Sequence, residues 1–269
     1  MLSLPDLKFF RYKNGRIAYR EKGIGQTLFL LHGMNGTSQS WAFLFESLAT
    51  SFHIVAWDAP GFGASDIFGD GIEDFKNAAN ALMDNLELQK PIVIGHSMGG
   101  VIALPLAVDQ YTSIVGLVLS STHLGFGHTK GAKLMPRYAD RIEHMNSKGI
   151  DLAYGEERAK RSTPPATSDN VIQFLAEIAA GSRIEGIRDG GRMSQETNNR
   201  DVCANLNVPV LILSGGKDKV ISNDMHTELI NALPKAQQYI FPDAGHASYA
   251  EYPHLFNKLV KDFALKAQR

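Results

Sequence analysis

Residues 90–107, KPIVIGHSMGGVIALPLA, constrain the fold more than any other stretch of the chain. A continuous apolar run ends at Ile94, three glycines crowd around Ser97, and the chain is apolar again from Val101. A short apolar run bounded by turn residues reads as a strand buried on both faces, and the apolar stretch beyond it as a buried helix. The passage between them is G-x-S-x-G. Side chains at Gly95 and Gly99 would keep the two elements apart, so their absence lets a tight turn hold Ser97 at its tip. Ser97 also precedes a helix N-terminus, where unpaired N–H groups favour negative charge, and the Met98 N–H is placed to bind an oxyanion.

Beyond this turn the pattern repeats. FFRYKNGRIAYREKG alternates as a β-hairpin does, with Asn14-Gly15 as its two-residue turn. TLFLLHG (27–33), HIVAWDAPGFGASD, SIVGLVLSST (113–122), VPVLILSGG (208–216) and AQQYIFPDAG read as further strands. SQSWAFLFESLATS, IEDFKNAANALMDNLEL, NDMHTELINALP and HLFNKLVKDFALKA have helical spacing, with Trp41 on an apolar face. Steady alternation predicts an α/β fold: a mostly parallel, eight-stranded sheet with helices on both faces. From His123 to Asn207 there is no buried-strand run, only helical patterns (Leu134, Tyr138, Ile142, Met145; Val171, Phe174, Leu175, Ile178) broken at Pro164-Pro165 and Gly190-Gly191. This predicts a helical cap inserted after the sixth strand. The core is then 1–122 and 208–269 and the cap 123–207, with Leu134, Tyr138, Ile142 and Phe174 over the site.

Totals narrow the function. The 269 residues carry 27 Lys and Arg against 28 Asp and Glu, a net charge of -1, and the cations are scattered. Neither nucleic acid nor a membrane is expected as a partner. No apolar run approaches the length of a bilayer span and the N-terminus has no basic-then-apolar leader, so a cytoplasmic location is expected. Cys203 cannot form an internal disulfide and reads as a small buried residue. No Cys/His cluster has metal-ligand spacing and no G-x-G-x-x-G follows a strand, so no metal or cofactor is expected.

In an open parallel sheet, ligands bind at the carboxyl ends of the strands. Those ends carry His32-Gly33-Met34, Asp58, Ser97, Thr122-His123, Asp218 and His246. A serine hydroxyl becomes a nucleophile only beside a base, and the base needs an acceptor that fixes its tautomer. A serine, histidines and carboxylates on one edge meet that requirement.

The stretches LLHGMNGTSQSW, VAWDAPGFGASD, GHSMGG, VLILSGGKDKVI and FPDAGHASYAEYP resemble α/β-hydrolases along nearly the whole chain, and among them 3-oxoadipate enol-lactonases and small-molecule esterases. The resemblance implies Ser97 as nucleophile, Asp218 as the acid after the seventh strand and His246 as base. It adds the Met34 N–H to that of Met98 as the oxyanion hole. Ser120-Ser121-Thr122 offer no carboxylate after the sixth strand, and Asp243 reads as a turn residue. His123 is a candidate substrate contact. His32 and His96 read as packing and hydrogen-bonding groups, Asp58 as an anchor of its turn, and EERAKR (156–161) as a solvated helix face.

The expected activity is hydrolysis of small carboxylic esters or lactones through an acyl-enzyme, with the small-molecule substrate as partner. The alternatives are a C–C bond hydrolase of vinylogous diketones and a slow-turnover ligand receptor on the same fold. Dehalogenases and epoxide hydrolases of this fold need a carboxylate where Ser97 stands, and hydroxynitrile lyases a lysine where Ala247 stands.

Overall fold

Apolar runs too short for helices become strands covered on both faces. The computed structural model describes residues 3–109 and 113–267. Eight strands form its sheet: β1 (Lys8–Tyr12), β2 (Gly15–Lys22), β3 (Thr27–Leu31), β4 (His53–Trp57), β5 (Ile92–His96), β6 (Gly116–Ser120), β7 (Val210–Gly215) and β8 (Gln237–Phe241). Their order is β1-β2-β4-β3-β5-β6-β7-β8. The pairs β1–β2 and β2–β4 are antiparallel and the rest parallel.

Every residue of β3 and of β5 is buried. Leu28 and Leu30 join Trp41, Phe45, Phe256 and Val260 in one core. Their neighbours Phe29 and Leu31 join Phe75, Leu82 and Ile102 in the core on the opposite face. Each such side chain stabilises the fold by roughly 1.5–3 kcal/mol.

A 3-10 turn over Ser38–Trp41 leads into α1 (Ala42–Leu48), followed by α2 (Ile72–Asn85) and α3 (Met98–Ala107). Between β6 and β7 lie α4 (Pro136–Lys148), α5 (Leu152–Ser162), α6 (Asp169–Ala179), α7 (Ile184–Glu196) and α8 (Arg200–Cys203). The chain closes with α9 (Asn223–Ala232), α10 (Ser248–Glu251) and α11 (Pro253–Ala267). No helix among the described residues is long and apolar enough to cross a membrane. Strand β3 pairs with β4 on one side and β5 on the other, so the chain reverses its winding there. A crevice opens at such a switch point, beyond the carboxyl ends of β3 and β5.

Two local expectations are corrected. The hairpin turn is Lys13-Asn14, and Gly15 already pairs with Tyr12 in β2. Lys13 takes a positive φ of 51°, while Gly15 is needed for clearance: a Cβ there would sit 2.8 Å from Asp66 Oδ2, which accepts the Arg16 N–H. Likewise Gly190-Gly191 does not break a helix but lies inside α7. A Cβ on Gly190 would come within 2.8 Å of Met98 Sδ, and one on Gly191 within 2.8 Å of the Tyr138 ring. The pair costs α7 about 1 kcal/mol per glycine in propensity but lets it press against α3 and α4.

Candidate active site

Ser97 sits between β5 and α3 with φ 52° and ψ -116°. A non-glycine residue in such a conformation costs about 1–3 kcal/mol, so its surroundings must impose it. The Ser97 N–H donates to Ser120 O (2.9 Å), and Ser97 O accepts from the Thr122 hydroxyl (2.6 Å) and the Gly100 N–H (2.9 Å). A Cβ on Gly99 would lie 2.0 Å from Leu31 O, and one on Gly95 2.5 Å from Gly99 O. Close passage of strand and helix therefore requires both glycines. The loop after β3 lies directly over the turn, since a Cβ on Gly33 would be 3.1 Å from Ser97 Cβ. This brings Met34 and Met98 to the same cavity wall as Ser97.

His246 lies on the loop after β8, and its Nδ1 is 2.9 Å from Asp218 Oδ2. Asp218 Oδ1 accepts the Val220 and Ile221 N–H groups at 2.7 and 3.1 Å. Burial pushes the Asp218 pKa up, but the His246 charge and these hydrogen bonds outweigh it and hold the carboxyl below its ordinary value. Asp243 is exposed and pairs with Lys217 at 2.6 Å.

The histidine loop has two supports that sequence reasoning missed. The Glu251 carboxylate accepts the N–H groups of Gly245 (2.9 Å) and Ala247 (3.1 Å), on either side of His246. The His246 N–H itself donates to Ser162 O at the end of α5 (2.7 Å). The available signal was a carboxylate five residues beyond His246, inside a quoted motif. Thr122, at a strand end by sequence, holds the Ser97 carbonyl, a role its residue type does not mark.

Three other histidines surround the site. His32 is fully buried; its Nδ1–H donates to Gly33 O (2.8 Å) and its Nε2 accepts the Ala59 N–H (2.9 Å), so it is neutral and fixes the loop after β3. Asp58 ties that loop to the next, accepting the Ser38 and Ala64 N–H groups at 2.7 and 3.0 Å. The His96 ring lies 4.7 Å from the His246 ring at a tilt of 53°, and burial pushes its pKa well below the ordinary value.

His123 lines the cavity, and its Nδ1 accepts the Gly125 N–H at 3.0 Å, leaving the ring proton on Nε2. Burial, with the Arg137 and His246 charges, pushes its pKa down to about 4. The unfolded chain titrates this ring near ~6.5, so between the two values it binds a proton that the folded chain does not. The stability in question is fully present above about pH 6.5 and is lost as pH falls toward the folded value. In His123→Gln the amide oxygen can still accept from Gly125. This variant should lose about 2 kcal/mol less stability than wild type between pH 7 and pH 4.5. Urea unfolding at both pH values measures it, and equal losses would contradict the burial argument.

The cavity holds about 650 Å³ and is lined by Ser97, His246, Met34, Met98 and His123 from the sheet edge. Tyr138 of α4, Tyr154 of α5, and Leu175 and Ile178 of α6 also line it. Of the four apolar residues expected over the site, only Tyr138 is there. Leu134 and Ile142 border a separate groove, and Phe174 packs its ring 5.1 Å from Phe43. The reading of EERAKR as a solvated face also needs correction. Glu156 pairs with Lys160 and Glu157 with Arg161 at i,i+4 spacing, but Glu157, Arg158 and Arg161 line the cavity, and Arg158 is half-buried there. Cys203 is buried, which pushes its thiol up to about 11. Among the described residues no group of three or more His, Cys, Asp or Glu side chains is placed to hold a metal ion.

Comparison with known proteins agrees with this architecture. The family described as serine aminopeptidase, S33 (Hydrolase_4) matches residues 24–252. The dihydrolipoyllysine-residue acetyltransferase component of the acetoin cleaving system of Cupriavidus necator is 30% identical over 263 residues. The match covers 91% of this chain but 66% of that relative, just under two thirds of its length. The 2-hydroxy-6-oxononadienedioate/2-hydroxy-6-oxononatrienedioate hydrolase of Cupriavidus pinatubonensis is 25% identical over 283 residues, covering 95% of this chain and 94% of that one. In structure, the enol-lactonase of Burkholderia xenovorans superposes with a TM-score of 0.84 at 22% identity, covering 95% and 99% of the two chains, a likeness of fold. With its eight-stranded α/β-hydrolase sheet and a family match over most of its length, this chain is a hydrolase belonging to the serine aminopeptidase S33 family.

Proposed function

We propose that this protein is a serine hydrolase of small carboxylic esters or lactones, acting through Ser97, His246 and Asp218 and an acyl-enzyme. The observation that carries the reading is the strained Ser97 turn, opening into the same cavity as a histidine whose Nδ1 is held by a carboxylate. With Nδ1–H bound to Asp218, the neutral His246 has its free lone pair on Nε2, the nitrogen that takes the Ser97 proton. Asp218, held ionised, balances the imidazolium that forms. His96 stays neutral 4.7 Å away and does not oppose that charge. The N–H groups of Met34 and Met98 receive the oxyanion. His246 then protonates the leaving oxygen, and water activated by the same ring releases the acid. Helices α4–α8, within residues 123–207, serve as the cap that shapes the cavity and excludes water.

The relative from Cupriavidus pinatubonensis favours a second reading, hydrolysis of a C–C bond. That reaction needs a proton donor over the substrate carbon chain. Thr37 and Ser38 sit at the capped 3-10 turn outside the cavity lining, and Asn35, which reaches the cavity, is an amide that donates a hydrogen bond but not a proton. Steady-state assays on short esters, lactones and a vinylogous diketone separate the readings. Turnover well beyond one equivalent is expected on an ester or lactone, with the diketone slower. A diketone turned over faster than every ester and lactone would overturn the choice of reaction. Turnover of none would leave a ligand receptor.

A further inference from the structure

The cavity wall opposite the sheet edge carries Arg137, Arg141, Arg158 and Arg161 against two carboxylates, Asp140 and Glu157, and Lys219 lines the cavity from the loop after β7. The cations differ in how they are satisfied. Arg161 pairs with Glu157 at 3.6 Å, and Arg137 lies over the Phe126 and Tyr138 rings. Arg141 is 7% exposed; its Nε donates to the Tyr154 hydroxyl at 2.6 Å, while its Nη2 is buried with no hydrogen-bond partner. Arg158 Nε is likewise buried and unpartnered. Neither arginine has a carboxylate within 4.0 Å among the described residues. Asp140 and Glu157 line the same wall without reaching them, and Glu157 also faces His144 at 3.9 Å.

A guanidinium stays charged in a protein and its planar fork matches the two oxygens of a carboxylate. Leaving such donors buried and unpaired is costly, so two in one cavity wall point to a group that arrives with the ligand. We infer that Arg141 and Arg158 form an anion subsite, and that the substrate is an ester or lactone bearing a second, free carboxylate. Burial, with the charge of Arg141 added, pushes Arg158 down to about 10, the direction a bound anion would reverse. The inference rests on the ester or lactone reading of Ser97 for the reaction, but not for the binding. Residue type alone did not reveal it: EERAKR has the composition of a solvated face, yet Arg158 lies half-buried in the cavity wall.

The test compares hydrolysis of monomethyl and dimethyl esters of succinate, glutarate and adipate, which present the same bond with and without a free carboxylate. Wild type should prefer the monomethyl ester of at least one length by tenfold or more in kcat/KM. Arg158→Met, and Arg141→Met where it folds, should lower that preference by about 10–100-fold, the range for a hydrogen bond to a charged group. A second arm does not depend on turnover. Calorimetric titration of Ser97→Ala with the free dicarboxylates should show one site per chain, lost when Arg158→Met is added. Equal use of charged and neutral esters, or a preference unchanged in the variants, would overturn the inference. Tighter binding of inorganic phosphate than of every dicarboxylate would overturn the choice of carboxylate. Arginine-dependent dicarboxylate binding without hydrolysis of any ester would uphold the subsite and overturn the proposed reaction.

Discussion

Ser97→Ala should fold as the wild type does and hydrolyse its ester or lactone substrates at least about 10³-fold more slowly, because the members of a triad act as a unit. The turn that holds this residue is built from backbone groups and the Thr122 hydroxyl, and none of its hydrogen bonds uses Ser97 Oγ. Alanine therefore keeps the elbow and removes only the nucleophile. Thermal melting of the variant should match wild type within a few degrees while kcat collapses. A fluorophosphonate should label the wild-type chain once, at Ser97, and leave the variant unlabelled. Label on another residue, or an active alanine variant, would remove Ser97 from its role.

Asp218→Asn should lower kcat by about 10⁴-fold, with the fold retained. The asparagine oxygen can still accept from Val220 and Ile221, as Asp218 Oδ1 does. Its amide then presents N–H to His246 Nδ1, which forces the ring proton onto Nε2, the nitrogen that must accept from Ser97. The loss should thus appear in kcat, with far-UV circular dichroism unchanged. Near-normal activity would mean that another carboxylate orients His246. Asp243 is occupied by Lys217, and Glu251 by the Gly245 and Ala247 N–H groups, so neither is free to substitute.

The sheet was legible in the sequence because its central strands are short runs buried on both faces, a pattern that helices of this length do not share. The Ser97 elbow was legible for a related reason: glycines at 95 and 99 meet a steric demand that leaves few other residues possible. What escaped was whatever depended on long-range packing. Gly190-Gly191 looks like a helix break, yet the pair is required by Met98 and Tyr138, both distant in sequence. Arg158 has the same neighbours on the chain as an exposed arginine, yet it lies half-buried in the cavity wall. Glu251 lies within a stretch whose histidine drew attention, but its hydrogen bonds run to backbone N–H groups, which leave no mark in residue type. Gly15 has the residue type of a turn, yet it opens β2, where a side chain would meet Asp66.

The central claim is a covalent acyl group on Ser97 during turnover. Rapid-quench mass spectrometry of the protein mixed with a p-nitrophenyl ester tests it directly. The expected result is a burst of one p-nitrophenol per chain, a matching acyl mass on the intact protein, and an adduct on the peptide that contains Ser97. Turnover without any adduct, or an acyl group mapped to a different residue, would contradict it.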